Sequence, residues 1–196
     1  AADPLLNVGL LRHNRVFAFS NAASFINYAA TAAMVFLLSL YLQYNRGLDP
    51  QTAGFVLVAG TIVQAVLSPS IGRLTDRVQP RWLASIGMGV TVLGLLALGF
   101  LGEDTPYWYV IGALMWLGMG FALFATPITH RVMGSVSKHH VGVAAATLST
   151  GRLTGQSVSM GLATLVIALL VGRQEVQPGD YPALLQSVQV SFLIFT

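Results

Sequence analysis

The chain has 196 residues, 55% of them apolar and only 9% charged, about a third of the charged share of a soluble domain, and its mean hydropathy is +0.70. Such a chain cannot cover a soluble surface, so a lipid bilayer is its expected solvent. The formal charge of +3 comes from basic residues scattered singly through polar segments, which excludes nucleic acid as a partner, and the lack of cysteine removes disulfides, thiol nucleophiles and thiolate metal sites.

Residues 1–15 read as a short amphipathic lead, with Arg12 and Arg15 beside the first apolar run, expected to lie along the cytoplasmic face. The apolar runs then predict helical spans over about Val16–Gln43, Thr52–Ile71, Trp82–Leu101, Tyr107–Ile128 and Val141–Val171, with a sixth starting near Tyr181. Each complete run meets the roughly 20 residues needed to cross about 30 Å of hydrocarbon. Gly47, Asp49 and Pro50 break the chain in one connection and Pro178, Gly179 and Asp180 in another,. The sequence opens at Ala1 without Met, shows no signal-peptide pattern and stops at Thr196 within an apolar run, so a piece of a longer protein is expected. The predicted fold class is an all-α polytopic membrane bundle of five full spans and the start of a sixth.

Arg12, Arg15, Arg73, Arg77, Arg81, Arg131 and Lys138 fall in alternate polar segments, against Arg46 and Arg173 in the others. Seven against two predicts a cytoplasmic N-terminus by the positive-inside rule. Tyr41, Tyr44, Trp82, Tyr107, Trp108 and Tyr109 stand where spans meet headgroups,. Glycines are frequent within the spans, and Gly151 with Gly155 has the small-xxx-small spacing for close helix packing,.

Polar residues inside a span are costly, so their placement is informative. In the first span Ser20, Ser24, Asn27 and Thr31 recur at intervals of three and four, a single helical face. That face is expected to line a wet cavity; the alternative is interhelical hydrogen bonding alone. In the fifth span Ser149, Arg152, Gln156 and Ser159 share a face, with Arg152 about 15 Å along the axis. Such an arginine costs about 2.5–3.5 kcal/mol and needs a partner. Every acid reads as a connection residue: Asp3, Asp49, Asp76, Glu103, Asp104, Glu175 and Asp180. Arg152 therefore binds an anionic ligand, pairs with a group on helices outside this chain, or snorkels to the interface. No proton-loading Asp, Glu or His is expected within the spans, since His13, His130, His139 and His140 read as lead or loop. Adjacent His139 and His140 lack a third ligand, so no metal or cofactor is expected, and Ser135 and Ser137 have no histidine inside a span to activate them. No enzymatic chemistry is expected.

The turn Gly72-x-x-x-Asp76-Arg77-x-x-x-Arg81 resembles the loop motif joining spans two and three of each half in the major facilitator superfamily. It departs from that motif at Gln79, usually Gly, and at Pro80, often basic, and so resembles the weaker second-half copy. Gly142, Ala144, Arg152 and Gly155 on the fifth span resemble the late-half signature of the fourteen-span drug/proton antiporters. The lead from Pro4 to Phe17 and the segment Tyr41-Leu42-Gln43 resemble that branch as well. The resemblance implies a carboxy-terminal six-helix half, built as a three-plus-three inverted repeat, working by alternating access against an amino-terminal half. It implies export of an amphiphilic small molecule, with proton coupling through residues outside this chain. The expected location is the inner (plasma) membrane of a bacterium or archaeon. Ser24, Asn27, Thr31, Arg152 and Gln156 are the candidate cavity residues; Gly72, Asp76, Arg77 and Arg81 are the candidate conformational latch, Asp76 engaging a helix start in the opposite half. The competing expectation is a half-size protein acting as a homodimer or as a non-transporting assembly subunit.

Overall fold

The computed structural model describes residues 14–172 and 178–196. Most of the amphipathic lead, and the connection carrying Arg173 and Glu175, lie outside the described residues. Helix α1 (Arg15–Thr31) and helix α2 (Met34–Leu40) continue into a π turn (Tyr41–Asn45), together one apolar rod of 31 residues. Then follow α3 (Pro50–Thr75), α4 (Pro80–Gly99), α5 (Tyr107–Gly134), α6 (Val141–Leu170) and α7 (Tyr181–Ile194). Five rods are long and apolar enough to cross a membrane, and α7 is a shorter apolar helix. No strand occurs among the described residues.

The helix starts follow from local chemistry. Asn14 caps α1, its side-chain oxygen accepting from the Phe17 amide at 3.1 Å. Asp49 caps α3, accepting from the Thr52 amide at 3.0 Å and the Thr52 hydroxyl at 2.7 Å. Pro50 and Pro80 occupy first-turn positions, where the missing amide costs no hydrogen bond. Before α3 the chain turns through Gly47 at φ +66°, a backbone state that glycine adopts without strain.

Two helix ends differ from the sequence expectation. Helix α3 runs past Ile71 to Thr75, so Gly72 and Arg73 are helical and the turn begins at Asp76. Helix α5 runs past Ile128 to Gly134, which puts His130 and Arg131 on the helix rather than in a loop. In both cases the polar residues extend the rod beyond its apolar stretch, where the interface tolerates them.

Helix α5 packs closely against α3 and α4, and α1 packs against α6. Glycines permit the first two contacts: a Cβ on Gly60 would lie 2.7 Å from the Leu114 carbonyl oxygen, and one on Gly87 would lie 2.7 Å from the Phe124 nitrogen. Along α1 the buried polar run from Ser20 to Thr31 separates two apolar clusters. One gathers Phe17, Ala84, Phe124, Ile128 and Val132; the other gathers Leu37, Leu38, Leu95, Leu98, Leu117 and Phe192. Helices α3 and α6 are peripheral: only 11% and 17% of their most apolar stretches are buried, against 44% for the other three rods. They carry apolar faces that the described residues leave uncovered.

Candidate functional site

Helices α1, α2, α3, α5 and α6 line a partly open cavity of about 360 Å³, within the range of small-molecule sites. Helix α3 offers Leu57, Gly60, Thr61 and Gln64, positions that share one face at intervals of three and four. Gln156 and Met160 face them from α6, Tyr28 and Thr31 from α1, and Phe121 from α5. The Tyr28 and Phe121 rings meet with centroids 6.5 Å apart. Two amides and three hydroxyls, that of Tyr28 included, are thus set among aromatic, methionine and leucine side chains.

Of the candidate cavity residues, Thr31 and Gln156 line this space; Ser24, Asn27 and Arg152 do not. Ser24 and Asn27 are 0% and 3% exposed, buried in the bundle away from this space, and α6 approaches α1 closely on the neighbouring face of Phe25, Tyr28 and Ala29. The approach is made at Gly155, where a Cβ would stand 2.6 Å from the Phe25 carbonyl oxygen. At Gly151 a Cβ would meet nothing within 4 Å, so the expected packing pair is a single position. Thr31 of the stripe and Asn21 beside it bond back to their own helix: Asn21 donates to the Phe17 carbonyl at 2.9 Å and Thr31 to the Asn27 carbonyl at 2.7 Å. The Ser24 hydroxyl and the side-chain oxygens of Asn21 and Asn27 are buried without a protein partner.

Arg152 stands behind the cavity wall. Its Nη2 donates to the Thr129 hydroxyl on α5 at 2.8 Å, and its Cζ lies 5.4 Å from the Tyr28 ring centroid. Among the described residues no carboxylate pairs with it. A hydroxyl and an aromatic face offset part of the cost of an arginine at this depth, but leave its charge unneutralised, and its Nε is buried without a partner. The guanidinium is held between α5 and α1 by these two contacts.

A second interior contact holds the break in the first rod. Ser159, fully buried on α6, accepts from the Ala33 amide at 3.0 Å, where α1 ends and α2 begins. The amide is thereby satisfied away from its own helix ladder, and Thr31 and Met34 are presented to the cavity from either side of the break. The sequence reading named Ser159 on the polar face without a role. It missed Tyr28, Thr61, Gln64, Phe121 and Met160 as cavity residues; the lone amide of Gln64 inside an apolar run was the available signal.

At the end of the bundle holding the α3–α4 turn, Asp76 is exposed and lies 3.8 Å from His130 Nε2 on α5. It caps the C-terminus of α3, where the helix dipole disfavours a carboxylate, so its own helix does not account for it. Arg77 is exposed, Arg81 lies 5.5 Å from the Trp82 ring, and Gly72 packs loosely near Thr126. The opposite end is tied by Tyr41 donating to the Gly102 carbonyl at 2.7 Å and Asn45 to the Tyr181 carbonyl at 2.8 Å. Arg46 donates there to the Glu103 carbonyl.

Apolar rods packed through glycine around a mixed polar and aromatic cavity define a polytopic helical membrane protein. The chain belongs to the major facilitator superfamily, whose family profile it matches over residues 20–195. It is 30% identical over 175 residues to a tetracycline resistance determinant of Streptomyces rimosus, covering 87% of this chain and 50% of that protein. It is 29% identical to the multidrug resistance protein Stp of Mycobacterium tuberculosis, covering 86% of this chain and 31% of that one. Against the multidrug efflux pump LfrA of Mycolicibacterium smegmatis the figures are 27%, 84% and 32%. The chain therefore spans half or less of the length of these relatives.

Proposed function

We propose that this chain is the carboxy-terminal six-helix half of a fourteen-span drug/proton antiporter that exports amphiphilic small molecules by alternating access. The observation that carries the reading is the cavity, walled from four rods and bordered by the sparsely buried helices α3 and α6. An amino-terminal half covering those faces would complete a solute path between two bundles. The resistance and efflux relatives favour an amphiphilic substrate. Gln64 and Gln156 would orient its polar groups, Tyr28 and Phe121 would take its apolar body, and Arg152 would bias the cavity through the Tyr28 ring. Asn27 and Ser24 would form a polar layer behind the wall. No described acid lies in mid-span, so the proton-carrying group would belong to the rest of the protein.

In the same reading the Arg-rich end of the bundle is cytoplasmic, in the inner membrane of a bacterium or archaeon, and Gly72, Asp76, Arg77 and Arg81 form the latch. Asp76 is exposed beside a single histidine, which leaves it available to a helix N-terminus of the opposite half. The test is dye efflux by the full-length transporter in cells lacking other pumps. Arg152→Ala and Gln156→Ala should each impair export at unchanged membrane abundance, and Asp76→Asn should slow the cycle. Wild-type efflux by the first two variants would remove the cavity from the mechanism.

A further inference from the structure

A second groove, of about 260 Å³, lies between the N-termini of α1 and α4 and the last turns of α5. Arg15, Arg81 and Arg131 line it, one from each helix, above walls formed by Val16, Phe19, Ala84, Met88, Phe124 and Ile128. We propose that this groove is a binding site for an acidic phospholipid, the three guanidiniums holding the headgroup phosphate and Phe19 flanking an acyl chain.

Three observations converge. The cations are held together by the fold: Asn14 caps α1 with its side-chain oxygen and donates through Nδ2 to the Ser135 carbonyl at 2.7 Å. One side chain thereby pins Arg15 at the start of α1 to the α5 end that carries Arg131. The cations are also uncompensated, since no carboxylate among the described residues pairs with any of them; Asp76 turns instead to His130. Three like charges around one groove repel, which an anion relieves, and guanidinium forks match phosphate oxygens. Finally, the surroundings are those of a lipid, not of a soluble anion. Phe19 is 73% exposed and Trp82, beside Arg81, 59% exposed, an aromatic rim at headgroup level, while Phe124 and Ile128 form an apolar floor. The site does not depend on the transport reading, because it uses only the spanning fold and one end of the bundle.

The test uses the full-length protein in mild detergent, with native mass spectrometry of phosphatidylglycerol and phosphatidylcholine of identical acyl chains. Wild type should retain phosphatidylglycerol preferentially. The triple variant Arg15→Gln, Arg81→Gln, Arg131→Gln should lose that preference about tenfold or more, and the matching triple Lys variant should keep most of it. An unchanged preference in the Gln variant overturns the site. Displacement of the lipid by millimolar inorganic phosphate would reassign it to a free anion and equally overturns the proposal. If the triple variant does not fold, the single variants Arg15→Gln and Arg131→Gln serve, each expected to lose about fivefold, and no loss in either is the contrary result.

Discussion

Two glycines one turn apart on α6 make a controlled experiment on how this bundle is held together. A Cβ at Gly155 would stand 2.6 Å from the Phe25 carbonyl oxygen, where ordinary contact begins at 3.4 Å; at Gly151 it would meet nothing within 4 Å. Gly155→Ala must therefore part α6 from α1 by about 0.8 Å, against backbone that cannot rotate away, whereas Gly151→Ala displaces nothing. Both substitutions gain about 1 kcal/mol of helix propensity. The difference between them isolates the packing cost, about 1–3 kcal/mol for one inserted carbon. With roughly 2–4 °C per kcal/mol for a chain of this size, Gly155→Ala should melt roughly 2–12 °C below Gly151→Ala, followed by loss of the monodisperse peak on heating in detergent. Melting at the same temperature would refute the close approach of α1 and α6.

Ser159→Ala should cost about 1–3 kcal/mol by leaving the buried Ala33 amide unpartnered,, while Ser159→Thr keeps the acceptor; equal melting of Ser159→Ala and parent would mean that the hydroxyl does not hold the break. Tyr41→Phe should lower thermal stability by about 1 kcal/mol through the lost bond to Gly102,, and an unchanged melt would count against that tie. The Thr52 hydroxyl and amide hold the Asp49 carboxyl below its ordinary pKa of 3.8. A depressed folded value means that this stabilisation is present above about pH 3.8 and is lost as pH falls through the lower folded value. Thr52→Val should move the Asp49 titration, followed by carboxyl-labelled NMR, upward towards the ordinary value; a fixed midpoint would contradict the cap.

The rods were legible because membrane solvation imposes a continuous apolar run that single-residue detail cannot disguise. Their polar ends were less so: Gly72, Arg73, His130 and Arg131 extend helices that the apolar pattern alone terminates. The stripe Ser20–Thr31 was visible as a face, but that only Thr31 of it meets the cavity depends on how α3, α5 and α6 pack around α1, contacts more than twenty residues away in sequence. The break at Ala32 and Ala33 carries no proline or glycine, and the hydroxyl that takes up its free amide, Ser159, is 126 residues away. Gln64, Tyr28 and Phe121 converge only once α3 and α5 approach through Gly60 and Gly118. The grouping of Arg15, Arg81 and Arg131 likewise reads in sequence as scattered topology signals.

The central claim, that the space among α1, α3, α5 and α6 carries the exported molecule, is tested most directly by thiol labelling. Because the chain has no cysteine, Gln156→Cys and Gln64→Cys introduce defined probes, with Asp104→Cys at an exposed position of the connection before α5 as control. A water-soluble maleimide should label both cavity positions in the full-length transporter, and an effluxed amphiphilic dye should slow that labelling severalfold without touching the control. Cavity thiols that stay unreactive, or that react at the same rate with and without the dye, would contradict it.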